Sequence, residues 1–321
     1  MANVLRLARP ARMEIIRGLH NLRDHHRGCV ATIGNFDGVH RGHQALIGRT
    51  RTMAERHGVP AVVMSFEPTP RDYFAGEDAP PRVLTLRDKA AALARYGIDR
   101  LLLVRFDRRL ASIAPEAFID EVLRRMLGIR GLVIGDDFRF GHMRRGDLAL
   151  LAARAPDCGF ELDAVASVVV DGERCSSSLL RERLAVPALD AVERMLGRAY
   201  EISGVVRPGL RLGRQLAMPT ANIGLRRQMA LHHGIYAVVA QVEGRRWPGV
   251  ANFGVRPTLG LSRCLLETHI FGDCGDLYGR MLDVEFKAFL RSERRFASLD
   301  ALKLQMHADA AQARSLLGIA S

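Results

Sequence analysis

From residue 29 onward, short β-branched runs alternate with stretches of helical period. CVATIGN (29–35) is an apolar run ending in a glycine-rich turn and predicts a buried strand, 41–57 predicts a helix stopped by Gly58, and PAVVMSF (60–66) predicts the next strand. The series continues with a helix capped by Thr85 and ending at Gly97, the strand RLLLVRF, a helix over 115–127, the strand GLVIG, a helix over 148–155 and one long strand, ELDAVASVVV. Alternation of this kind predicts right-handed crossovers and a Rossmann-like α/β layer structure, a parallel sheet covered on both faces. In such sheets ligands bind at the carboxyl ends of the strands.

After Pro187 and a short helix over 189–196 the pattern changes. YEISGVV, TANIGL, GIYAVVAQV, WPGVANFG, CLLETHIF and MLDVEFKAFL are closely spaced strands punctuated by glycine and proline, followed by an amphipathic helix over 299–317. Strands at this spacing predict a small barrel or sandwich with a closing helix. The expected division is a basic extension over 1–12, with Met13 a second candidate start, an α/β domain over 13–186 and a β domain over 187–321, each with apolar positions enough for its own core.

Composition narrows the function classes. The 321 residues are 48% hydrophobic and 26% charged, which excludes a disordered or fibrous chain. The longest apolar runs, such as Ala164–Val170, are far too short for a bilayer. Lys+Arg 47 against Asp+Glu 35 gives a net charge of +12, which suits phosphate-bearing partners. Nearly all of that basicity is arginine, dispersed without a block, and no aromatic–basic interleaving accompanies it, so no nucleic-acid partner is expected. Lysine occurs only at Lys89, Lys287 and Lys303, none after a glycine, so the GxxxxGK[ST] phosphate loop is excluded. Cys29, Cys158, Cys175, Cys264 and Cys274 are odd in number and lack any CxxC pairing, which fits a reducing, cytoplasmic compartment without disulfides or zinc.

GNFDGVHRGH (34–43) carries the sharpest chemistry. A strand ends in a glycine-rich turn, and His40 and His43, three apart on a first helical turn, lie on one side beside free backbone amides and the positive end of the helix dipole. That arrangement is a phosphate cradle. Read alone, it is also compatible with a tight turn carrying two surface histidines. CSSSLLR (175–181) offers hydroxyls at a helix start with Arg181 one turn later, and by itself reads as an ordinary N-cap. In PTAN, Thr220 and Asn222 are two apart and in an extended segment point the same way, offering the oxygen ligands a hard cation wants, or simply capping a turn. Glu267 alternates with Leu265, His269 and Phe271, an apolar setting that would raise a carboxyl pKa toward that of a base, or a plain strand-edge position.

Taken in order, GNFDGVHRGH, FEPTP (66–70), DAPPRVLTLRDK (78–89), IGDDFRFGHMRRGD (134–147), CSSSLLR, GRQLAMPTANI (213–223), GVANFGVRPT (249–258), LETHIF (266–271), GDLYGR (275–280), VEF (284–286) and LRSERRF (290–296) resemble the HxGH nucleotidyltransferases, and within them the bacterial bifunctional riboflavin kinase/FAD synthetases, from Met13 to about Arg314. The resemblance implies an N-terminal nucleotidyltransferase domain and a C-terminal β-barrel riboflavin kinase domain. It implies ATP, riboflavin, FMN and FAD as ligands, with Mg2+ accompanying ATP. For the adenylylation site it implies His40, His43 and Arg181 as catalytic residues, Gly34, Phe36, Asp37, Gly38, Ser177 and Ser178 as further ATP contacts, and Phe66, Pro68 and Asp137 against the flavin. For the kinase site it implies Thr220 and Asn222 as magnesium and ATP ligands, Glu267 as the base and Arg291 near the flavin. Ser178 stands where threonine is usual, Ala217 where glycine is common, and Gly272 and Asp273 where the family often shows Asp and Phe. The last three departures admit a rival reading, an FMN adenylyltransferase whose barrel only binds flavin as a sensor; retention of Thr220, Asn222 and Glu267 together argues against it.

Overall fold

Six strands, β1 (Glu14–Arg17), β2 (Val30–Ile33), β3 (Ala61–Phe66), β4 (Arg100–Val104), β5 (Gly131–Gly135) and β6 (Glu161–Val165), form an all-parallel sheet in the order β1-β4-β3-β2-β5-β6. The structure is a computed structural model that describes residues 13–209, 218–258 and 261–319. The expected extension over 1–12 and the departure at Ala217 lie outside the described residues. β2 is buried along its whole length and β3 over its first five residues, which explains why they read as continuous apolar runs instead of alternating ones. Helices α1 (Arg41–His57), α2 (Pro70–Ala75), α3 (Leu86–Arg95), α4 (Arg108–Ala111), α5 (Pro115–Ala117), which runs on into a π-helical stretch at Phe118–Leu127, and α6 (Leu148–Cys158) connect the strands. Strand order reverses at β2, whose neighbours are β3 and β5. That reversal opens the crevice in which doubly wound sheets take their ligands.

Two elements depart from the predicted pattern. β1 is a short edge strand beside β4 that no periodicity announced. The long strand expected over 161–170 ends at Val165, and β7 (Val169–Val170) and β8 (Glu173–Arg174) form a separate hairpin. Its turn is Asp171–Gly172, with φ of 53° and 80°, the geometry a two-residue Asp-Gly loop prefers.

The remaining elements are α7 (Ser177–Ala185), α8 (Leu189–Leu196), six strands and α9 (Leu299–Leu316). The strands are β9 (Tyr200–Val205), β10 (Ala221–Gly224), β11 (Gly234–Val242), β12 (Arg245–Thr258), β13 (Leu261–Ile270) and β14 (Met281–Arg291), antiparallel in the order β10-β13-β12-β11-β14-β9. The edges meet where the Arg207 amide donates to the Asn222 carbonyl at 2.9 Å, so the sheet is nearly closed into a barrel. Its interior holds Tyr200, Ile202, Tyr236, Phe253, Leu266 and Phe286, all at most 2% exposed. α9 covers part of the outer face, burying Ala310 and Ala313 with Ala237, Val250 and Phe271.

By backbone contacts the chain divides into two units, residues up to Pro80 with Lys89–Cys175, and Pro81–Asp88 with Ser176 onward. This contact division falls after Cys175, where the pattern of the sequence placed the boundary at 186/187. The Tyr200 hydroxyl donates to the Val83 carbonyl at 2.9 Å, Arg82 N to Gln228 O and Ala230 N to Arg82 O at 2.8 Å, and His232 N to Leu184 O at 2.9 Å. These bonds tie Pro81–Asp88 and α7 to the barrel.

Candidate active sites

In the first unit, β2 ends in the turn 34–40. Phe36 and Val39 hold φ of 49° and 44°, an unusual conformation for bulky residues, and both are fully buried. His40 is the N-cap of α1: its Nδ1 accepts the amide hydrogen of His43 at 3.4 Å. Neutral His40 then carries its proton on Nε2. The His40 and His43 rings stack with centroids 3.7 Å apart, and the Phe36 ring lies 4.9 Å from His43. A Cβ at Gly42 would come within 3.1 Å of the His40 ring, close enough that the imidazole would have to shift by a few tenths of an ångström to make room. Burial, with His40 and Lys89 adding to it, pushes the His43 pKa well below its usual value. His43 is thus a neutral donor at physiological pH, not a cation. Asp37 is 3% exposed, and Gly38 turns the chain with φ of 95°.

Sequence reasoning passed over Lys89 as a site residue. Its ammonium is buried and donates to the Asn35 carbonyl at 3.1 Å and the Ser65 hydroxyl at 3.2 Å, which braces the turn from β3.

A cavity of about 850 Å³ opens at the carboxyl ends of the same strands. Phe66, Phe74, Phe106, Phe118, Phe138 and Phe140 line it, nearly half of the chain's 13 phenylalanines, with Arg71, Arg139 and Arg144 among them. Phe66, expected against the flavin, is one of these lining residues. Pro68 follows a cis peptide in the half-buried loop leading to α2, whose cap is Thr69. Asp137 does not line the cavity; its carboxylate pairs with Arg174, and the next residue, Phe138, lines it instead. The phenylalanines after β4 and β5 lie in loops without periodicity; Phe138 and Phe140 fall inside the IGDDFRFGHMRRGD motif, which by itself does not single them out.

The CSSSLLR segment opens α7 in the second unit. Ser176 is the N-cap, its hydroxyl accepting from Leu179 N at 3.2 Å, which leaves Ser177 and Ser178 on the first turn. Arg181 donates to the carbonyls of Pro81 at 2.8 Å and Ser177 at 3.2 Å.

In the barrel, register decides the geometry. Asn222 of β10 stands opposite Glu267 of β13, and Glu267 stands opposite Asn252 of β12. Directly opposed residues share a face. Leu266 and Thr268 point inward and are buried, so Glu267 and its two asparagine neighbours lie on the outer face. The apolar setting read from LLETHIF is thus flanked by two amides, Asn222, which the resemblance had already assigned to this site, and Asn252, which it had not. The Asn222 amide donates to the Thr220 carbonyl at 3.1 Å, while its Oδ1 is buried without a donor among the described residues. Thr220 and Asn222 line a cavity of about 410 Å³ with Gly272–Tyr278. His269 accepts no cationic role there: its Nδ1 meets the Pro219 carbonyl at 2.9 Å, and burial lowers its pKa. Arg291, expected near the flavin, grips Asp309 of α9 with two nitrogens, at 2.9 and 2.6 Å.

Two family models match the chain, FAD synthetase over residues 22–179 and riboflavin kinase over 196–317. A bifunctional riboflavin kinase/FMN adenylyltransferase of Pseudomonas fluorescens is 49% identical over 305 residues, covering 95% of this chain and 98% of that protein. Its namesake in Escherichia coli (strain K12) is 44% identical over 309 residues, with 96% and 99% covered. A crystal structure described as a macrolide-efflux protein from Streptococcus pneumoniae superposes with a TM-score of 0.79 at 24% identity, over 95% of this chain and 99% of that one; the likeness is one of fold.

Proposed function

The chain belongs to the family of bifunctional riboflavin kinase/FMN adenylyltransferases, and from that premise we propose how its residues divide the two reactions, riboflavin plus ATP giving FMN plus ADP, and FMN plus ATP giving FAD plus pyrophosphate. The observation that carries the kinase assignment is the register that sets Glu267 beside Asn222. Glu267 accepts the proton of the terminal ribityl hydroxyl as its oxygen attacks the γ-phosphorus of ATP. The hydroxyl of Thr220 and the orphaned Oδ1 of Asn222 are hard oxygen donors and fit Mg2+ with the ATP phosphates. Magnesium bound there supplies charge neutralisation for the transferring phosphoryl group. Arg291 acts at a distance, holding α9 against the barrel.

For adenylylation, an FMN phosphate oxygen attacks the α-phosphorus of ATP and pyrophosphate leaves. The nucleophile is already an anion, so no base is required. His40 and neutral His43, at the amino end of α1, donate to the phosphate oxygens where charge builds up. The phenylalanine-lined cavity suits an isoalloxazine ring, with Phe66, Phe138 and Phe140 as its walls. The reading is of a cytoplasmic enzyme of small-molecule metabolism with no nucleic-acid partner; no helix among the described residues is long and apolar enough to cross a membrane. Incubation with riboflavin, ATP and magnesium, resolved chromatographically, tests it. FMN should appear first and FAD after it, and chelation of the metal should stop both. A chain that yields FAD from FMN but never FMN from riboflavin would instead fit the sensor reading of the barrel.

A further inference from the structure

Across the outer face of the barrel, four residues stand in one register row. Ile235 of β11 is opposite Asn252, Asn252 opposite Glu267, and Glu267 opposite Asn222. The row is graded in polarity. At the Ile235 end it joins the apolar cluster with Ala237, Val250 and the residues of α9; at the Asn222 end it reaches the cavity lined by Thr220 and Gly272–Tyr278. Asn252 is half-buried, and its Oδ1 is fully buried without a donor among the described residues. A buried amide oxygen left without a donor costs stability, so its retention points to a donor that arrives with a ligand.

We propose that Asn252 is a specificity-determining residue of the kinase site, its Oδ1 accepting a hydrogen bond from the ribityl hydroxyl next to the one that reacts. The inference rests on Glu267 being the base and on Asn222 lying at the phosphate end. With those ends fixed, the acceptor has one direction to lie in: ring toward Ile235 and α9, terminal hydroxyl at Glu267, and the intervening polyol over Asn252. Strands in a sheet are about 4.8 Å apart and directly opposed side chains are neighbours, so Glu267 and Asn252 can both reach one polyol chain. The carboxylate of Glu293 lies over Gly254, two residues along the same face from Asn252, so a second acceptor stands beside the polyol path.

The test compares riboflavin with 4′-deoxyriboflavin as substrates of the full chain. Wild type should lose roughly 10- to 100-fold in kcat/KM on the deoxy analogue. Asn252→Ala should show a loss of the same size with riboflavin and little further loss with the analogue, while Asn252→Ser, which keeps an acceptor, should recover part of the discrimination. Equal use of both substrates by wild type overturns the proposal without any variant having to fold. Losses that multiply in Asn252→Ala overturn it too, because they show two independent effects. Glu267→Gln is run alongside: if wild type phosphorylates riboflavin and this variant does not, the site reading stands whatever Asn252 does, and if Glu267→Gln retains the activity, the reading and the inference fail together.

Discussion

Nδ1 of His40 accepts the amide hydrogen of His43, and the two imidazoles stack 3.7 Å apart at the start of α1. One side chain therefore caps the helix and, through that bond, sets which of its nitrogens carries the outward proton. The three-residue spacing serves both purposes.

These two purposes can be separated. Asparagine caps helices well, so His40→Asn should melt within about 1 kcal/mol of wild type, yet its FAD formation should fall about 10² to 10³-fold, as should that of His43→Ala, for loss of a donor aimed at developing charge. Single-turnover rates of FAD formation from FMN check this. Equal loss of stability and activity in His40→Asn would reduce the residue to a cap.

Asp88 makes stability depend on pH. Its carboxylate accepts from the Thr85 hydroxyl at 2.7 Å, but burial raises its pKa to about 6 from 3.8. Between those values the folded state binds more protons than the unfolded one, so this group's contribution falls as pH rises from 4 through 6 and stays lost above it. Asp88→Asn, which keeps an acceptor for Thr85, should gain up to about 3 kcal/mol over wild type at pH 8 and far less at pH 4.5. Urea unfolding at the two pH values measures it, and a gain that does not depend on pH would refute the linkage.

Removing Arg291 should loosen α9. The Asp309 side chain is 4% exposed and that of Arg291 20%, so Arg291→Ala leaves a buried carboxylate with, among the described residues, the Gln305 amide donating to it at 2.7 Å. A loss of about 3–5 kcal/mol is expected, largely restored in the double variant Arg291→Ala/Asp309→Ala. Thermal melts decide; an unchanged melt with a raised KM for riboflavin would return Arg291 to direct flavin contact.

Phe106 meets Phe66 edge-on with centroids 5.9 Å apart and walls the large cavity. Phe106→Ala should raise the KM for FMN in adenylylation by roughly tenfold, from the lost aromatic contact and area, and leave riboflavin phosphorylation alone. Paired kinetics on the two reactions test this, and an effect on phosphorylation alone would misplace the flavin.

Much of this was legible in the chain, and the failures share a cause. α1 runs from Arg41 to His57 and stops at Gly58 in the left-handed region, as its period and its glycine predict. α8 (Leu189–Leu196) also lies where the pattern put it. The Asp-Gly pair that breaks the strand after β6 is a local hairpin signal that the β-branched run around it obscured. What no local pattern can carry is pairing between distant positions. Pro81–Asp88 belongs with the barrel because Val83 receives the Tyr200 hydroxyl, more than a hundred residues on. Asn252 sits in a motif that was visible, but only register sets it opposite Glu267.

The central claim is that two separate groups of residues perform two consecutive reactions, and product analysis of two variants supplied with riboflavin and ATP tests it most directly. Glu267→Gln should make neither FMN nor FAD from riboflavin, its kinase rate reduced about 10² to 10⁴-fold, yet should convert added FMN to FAD at close to the wild-type rate. His43→Ala should accumulate FMN and stop there. FMN production by Glu267→Gln at the wild-type rate, or FAD production by His43→Ala at that rate, would contradict the account.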